Sequence, residues 1–145
     1  MNEGGRGKPV GTRGPDVDLD ALLCALVLAP RTFARNRFFQ LHENPAVRRV
    51  RRRASRVRGI IRQLIGNGKD KGEVVGEQIL EDGQVLLRYR VEDLAFARTT
   101  ALSALEAAAL RFALHRAGAG PLEDEDRVKV EEALARLGRD IDIDS

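Results

Sequence analysis

The sequence predicts a mainly α, α+β domain: a compact bundle of about five helices with one β-hairpin between the third and fourth. Three observations carry this. Val47, Val50, Ala54, Val57, Ile61 and Leu64 are spaced 3, 4, 3, 4, 3, the repeat of one helical stripe. Ser103-x-x-Glu106 has the form of a capping box at a helix start. Asp82-Gly83, flanked by alternating apolar residues, is the favoured pair for a tight hairpin turn.

Along the chain, residues 1–17 are glycine-rich with almost nothing apolar and read as a flexible tail, and residues 18–138 read as a single domain. A first helix starts at Asp18 or Asp20, whose carboxylates can cap free N–H groups, and runs to about Leu28 before Pro30. It is apolar on most sides, as a central core helix is, with Cys24 as a small buried hydrophobe. A second helix is expected from about Thr32 to His42, broken by Asn44-Pro45. The third, Pro45 to Ile65, has proline at its first position and Gly66 to end it.

The hairpin is expected within 73–91. A two-residue turn at Asp82-Gly83 sets Leu80 opposite Val85, Gln78 opposite Leu87, Gly76 opposite Tyr89 and Val74 opposite Val91. On the other side Ile79 meets Leu86, and Glu77 meets Arg88. Thr99-Thr100 and Ser103 read as helix-start chemistry for a fourth helix from Ser103 to Ala117, stopped by Gly118. A fifth, from Asp124 to Leu137, opens on four carboxylates and shows Val128, Val130, Leu134 and Leu137. Residues 139–145 read as a frayed acidic end.

Charge is unevenly placed. The net +3 divides into −1 over residues 1–30, +11 over 31–71, −2 over 72–120 and −5 over 121–145. No acidic residue stands between Asn44 and Lys69, a stretch that holds eight arginines. At least seven Arg–Arg pairs fall at i, i+3 or i, i+4, and at roughly 0.2–0.5 kcal/mol each they oppose the helix by about 1.5–3.5 kcal/mol at low salt. Something anionic would relieve that repulsion. One source is internal, the acidic fifth helix. A second is nucleic acid, whose phosphates arginine binds bidentately. A third is an anionic membrane surface, disfavoured because the apolar stripe is mostly valine and alanine.

The chemistry of catalysis is thin. His42 and His115 lie near helix ends, one cysteine and two separated histidines do not make a zinc motif, and Asp140, Asp142 and Asp144 lack the glycine and distal glutamate of a calcium loop. Neither Lys8 nor Lys69 is followed by the Ser or Thr that a phosphate-binding P-loop requires. The single cysteine forbids an intrachain disulfide, the longest apolar run is too short to span a bilayer, and aspartates stand where a secretory leader would be basic. The expectation is a cytoplasmic, non-enzymatic module without metal or cofactor.

Its function is expected to lie in the arginine helix, engaging DNA or RNA backbone without strong base readout. Arg48, Arg49, Arg51, Arg52, Arg56, Arg58 and Arg62 would contact phosphates, with Lys69 and Lys71 flanking. A sequence-reading helix-turn-helix in the last two helices is disfavoured, because the carboxylates opening the second would repel phosphates. The alternative is a protein-interaction, scaffold or regulatory component. There an apolar helix face, the Val47–Leu64 stripe or that of the fourth helix, packs on a partner or a second copy, and the arginines face acidic groups.

Overall fold

The computed structural model describes residues 18–28, 44–66, 72–91 and 96–140. In chain order the elements are α1 (Leu19–Leu28), α2 (Pro45–Ile65), β1 (Glu73–Ile79), β2 (Val85–Arg90), β3 (Arg98–Leu102), α3 (Ala104–Arg116) and α4 (Asp124–Asp140). Mixed helix and sheet is therefore correct, but among the described residues there are four helices and a three-stranded antiparallel sheet, ordered β1-β2-β3. The expected helix over 32–42, the tail over 1–17 and residues 141–145 lie outside the described residues.

The helix starts follow their sequence signals. Asp18 Oδ1 accepts from Ala21 N at 3.1 Å, and Asn44 Oδ1 from Ala46 N at 2.8 Å. At α3 both halves of the capping box form: Glu106 N donates to Ser103 Oγ at 3.0 Å, and Ser103 N to Glu106 Oε1 at 2.8 Å. Gly66, with φ of 65°, ends α2. Only the last helix runs beyond expectation, to Asp140.

The core forms around α1, which touches the other three helices and buries Ala21 to Ala25 and Val27. Packed around it are the whole predicted stripe of α2 together with Ile60, Ala107 to Leu110 and Leu114 of α3, and Val130 and Ala133 of α4. The runs of alanine allow this close approach of helix to helix. Val128, one of the apolar residues noted in this helix, is exposed, since it lies about 200° around the helix from Val130. Burial pushes the Cys24 thiol up to about 12, leaving it a core side chain with no thiolate chemistry at neutral pH.

The sheet departs from expectation in two ways. Residues 98–102, read as the approach to a helix, form β3, pairing Val85 with Leu102 and Leu87 with Thr100. The β1–β2 register is also shifted: Ile79 faces Val85, Glu77 faces Leu87, Gly76 faces Arg88 and Val74 faces Tyr89. The cause is the turn. Leu80 N donates to Gln84 O and Gly83 N to Leu80 O, so the loop has three residues, with Gly83 at φ of 88°. That is the type I turn plus left-handed residue that Asp-Gly also suits. A further shift between Val74 and Gly76 completes the offset.

β2 is the central strand and places Val85, Leu87 and Tyr89 in the core. Across the sheet on that side stand Val74, Glu77 and Ile79 of β1. Glu77 there meets Arg111 of α3, which also donates to both oxygens of Asp126 on α4 at 3.3 Å. Burial pulls the Arg111 pKa down, but the Glu77 and Asp126 carboxylates hold it above its ordinary value. One guanidinium thus joins sheet, α3 and α4.

Two measurements test this arrangement. A Cβ on Gly72 would stand 2.5 Å from the carbonyl oxygen of Arg90 and 3.0 Å from that of Gln63, both backbone atoms. Gly72→Ala is expected to destabilise the protein by about 1–3 kcal/mol in urea denaturation, as other forced overpacking does. Asp18 accepts from Arg136 Nε at 2.6 Å, and that bond lowers its pKa below the ordinary 3.8. Its stabilising contribution is complete above the unfolded value and lost as pH falls through the lower native one. Asp18→Asn should therefore narrow the stability difference from the parent only below about pH 4, as read from acid denaturation curves.

Candidate functional site

α2 is 21 residues long and amphipathic, so its arginines are sorted by the direction each faces. Three of those bordering the buried stripe are used by the fold. On one border Arg53 Nε donates to Glu106 Oε2 at 2.9 Å, and its Nη2 reaches Ser103 Oγ at 3.4 Å. One turn further, Arg56 Nη1 donates to Thr100 Oγ1 at 2.8 Å and to the Ala101 carbonyl at 3.2 Å. Its Nη2 lies 3.6 Å from Glu106 Oε1. On the other border Arg58 Nη1 donates to the Leu26 carbonyl at 2.9 Å. Leu26 lies in the last turn of α1, where carbonyls lack helical partners and cations are favoured.

Burial, then the charge of Arg62, hold the Arg58 pKa below its ordinary value. The smaller of these two causes is the like-charge repulsion expected along this helix. Glu106 is the only buried charged side chain among the described residues, 3% exposed, and it answers two of the arginines at once.

The remaining arginines form an exposed crest, with Arg48, Arg52 and Arg62 along its top and Arg49 and Arg51 on its flanks, in line with Arg56 and Arg58. Arg48, Arg49, Arg51, Arg52 and Arg62 are exposed. Of these, Arg49, Arg51, Arg52 and Arg62 make no ion pair among the described residues. The acidic C-terminal helix does not supply counter-charges to these four: Asp126 pairs with Arg111, Asp124 with Arg127, and α4 packs on α1 and α3. Of the nine residues expected on phosphates, five thus stand on the crest, Arg56 and Arg58 are tied to neighbouring elements, and Lys69 and Lys71 lie outside the described residues.

The apolar stripe of α2 is consumed by the chain's own core, with Val47, Val50, Ala54, Val57, Ile61 and Leu64 all buried. The stripe is therefore not a face offered to another subunit, which corrects that part of the protein-interaction expectation. Unforeseen in the sequence was the outer edge strand β1, where Val74, Val75 and Ile79 are exposed, Ile79 by 76%. Val74, Val75 and Ile79 around Gly76 carried that signal, but the expected hairpin paired Val74 with Val91 on its apolar side and Ile79 with Leu86 on the other.

His115 Nδ1 lies 3.0 Å from the Gly120 carbonyl, a contact within the turn that follows α3. His42 lies outside the described residues. Among the described residues no three His, Cys, Asp or Glu side chains come together to hold a metal, and no helix is long and apolar enough to cross a membrane. Compared with family models, characterised proteins and solved structures, the chain matches none.

Glu106 supplies a test of this sorting. Glu106→Ala removes half of the capping box and leaves two guanidinium groups without their carboxylate. It should cost about 1.5–3 kcal/mol, the loss of a cap and of charge-assisted hydrogen bonds, since the two guanidinium groups left behind are solvated. Arg51→Ala, on the crest, should change stability by less than about 0.5 kcal/mol. Equal losses from both in chemical denaturation would show that the crest and the border are not distinct.

Proposed function

We propose that the protein is a non-enzymatic binding module whose α2 crest engages the phosphate backbone of DNA or RNA. The observation that carries this reading is the crest itself: Arg49, Arg51, Arg52 and Arg62, exposed, without an ion pair among the described residues, on a helix fixed from both borders. Arg48 stands in the same row and joins the set that meets phosphate. Guanidinium groups bind phosphate in bidentate geometry and keep their charge at any physiological pH. A helix held by Arg53, Arg56 and Arg58 presents them at fixed spacing, so the entropy cost of ordering on binding is small. Crest positions not held by arginine carry Ser55 and Gly59, with Gln63 beside them, which favours backbone contact over base readout.

A second reading, a protein-interaction or scaffold role, draws on β1. Its exposed apolar side chains and outer position in the sheet are those of a strand that accepts a partner strand. Light scattering of the purified protein separates the two, since self-association through β1 would persist at high salt whereas phosphate binding would not.

The direct test titrates salt against binding to a labelled mixed-sequence DNA duplex and an RNA of equal length. Affinity should fall linearly with salt on logarithmic axes. Replacing Arg49, Arg51, Arg52 and Arg62 by Gln should leave the fold intact and reduce the slope by about 0.9 for each phosphate no longer neutralised. Absence of binding to either nucleic acid at low salt would overturn the reading.

A further inference from the structure

The crest of α2 is not evenly armed. At about 100° per residue, Arg48, Arg52, Ser55, Gly59 and Arg62 share a sector of roughly 80°. Arginines crowd the first part, at 48, 49, 51 and 52, and the next crest arginine is Arg62. At roughly 1.5 Å per residue, Arg52 and Arg62 are about 15 Å apart along the axis, with only Ser55 and Gly59 on the crest between them.

Gly59 is a glycine that the fold does not require. It lies within the helix, not at a cap, and its φ is not in the left-handed region. Among the described residues, a Cβ built there meets a single atom within 4 Å beyond the helix backbone, the Arg62 Nη2 at 3.9 Å. Glycine within a helix is unfavourable relative to alanine, and packing gives no reason for it here. What the missing side chain provides is a half-buried dip in the helix backbone along the crest, with the Arg62 Nη2 beside it. Glycine at such a point allows another backbone to come close.

We propose that Ser55 and Gly59 form a saddle in which the backbone of a double-stranded nucleic acid crosses α2, bracketed by Arg51 and Arg52 on one side and Arg62 on the other. This rests on the phosphate-binding reading of the crest and narrows it. A duplex is favoured over a single strand on two grounds. α2 carries no aromatic residue, so bases have no platform to stack on. Arginines at fixed spacing on a clamped helix also match a partner whose phosphates are themselves held at fixed spacing. DNA and RNA duplexes present the same phosphodiester chemistry, and the experiment includes both.

The test compares the full chain with Gly59→Ala and Gly59→Gln, neither of which alters charge. Binding is measured to a DNA duplex, an RNA duplex and a single strand of equal length at one salt concentration. Both substitutions should raise the thermal midpoint, because both residues favour helix over glycine and the site is open. Gly59→Gln should nevertheless weaken duplex binding about ten-fold or more, the loss of one or two charge-assisted hydrogen bonds as the backbone is held off. Gly59→Ala, with a single methyl, should bind within about three-fold of the parent, well under the effect of one such bond. Parent protein that binds duplex while Gly59→Gln binds it equally well overturns the saddle and leaves the crest reading standing. Single strand bound as tightly as duplex overturns the assignment of partner class. A parent that binds no nucleic acid overturns both readings.

Discussion

The placement of α2 depends on the carboxylate of Glu106, buried at the first turn of α3. One oxygen receives the Ser103 amide and completes the helix cap, while the other receives Arg53 Nε, with Arg56 close by. A lone carboxylate buried to 3% exposure would be costly, and two guanidinium groups and a backbone donor offset that cost. The same group thus ends the conformational freedom of the α3 N-terminus and neutralises the crowded border of α2. Arg56 extends the link to the sheet through Thr100 and the Ala101 carbonyl, so a side-chain tie joins β3 to α2.

On the opposite border Arg58 answers a carbonyl at the end of α1, and between the two borders the valine and isoleucine stripe is buried. This resolves much of the electrostatic difficulty of an arginine-rich helix without removing its charge. Repulsion is relieved where a guanidinium can reach a carboxylate or carbonyl of the fold. At Arg49, Arg51, Arg52 and Arg62, which make no ion pair among the described residues, it is left for solvent, salt or a partner to relieve.

How far this was legible in the sequence differs from element to element, for physical reasons. The α2 stripe, its Pro45 start, the Ser103 cap and the Gly66 stop are local signals, written in residues within one or two turns of one another, and each appears in the structure. β3 is also short, but of its five residues only Leu102 is a large apolar side chain, and the partners that make it a strand are in β2. Its two threonines were the available signal, since β-branched residues suit a pleated strand. The hairpin register failed on a genuine ambiguity, because Asp-Gly serves both a two-residue and a three-residue loop, and one residue of slip changes which side each side chain faces. That slip put Glu77 beside Arg111, a tie between sheet and helices that no sequence pattern announces. For the arginines the helix and its charge were legible. Which of them the fold would claim was not, because the claimants, Glu106, Thr100 and Leu26, lie far along the chain.

The sorting of arginines has a consequence for how this helix can change. Arg53, Arg56 and Arg58 carry charge whose partners are inside the molecule, so altering them disturbs the packing of three elements together. Crest arginines carry charge whose removal relaxes repulsion and breaks no ion pair among the described residues at 49, 51, 52 and 62. Stability and surface potential are therefore set by different residues on a single helix, a separation that follows from the width of the buried stripe. A narrower stripe would have left the border arginines in solvent, and a wider one would have replaced them with apolar residues. With a stripe of this width, seven buried positions hold the helix in place. The two borders fix its rotation, and the crest is free to be selected for what it meets.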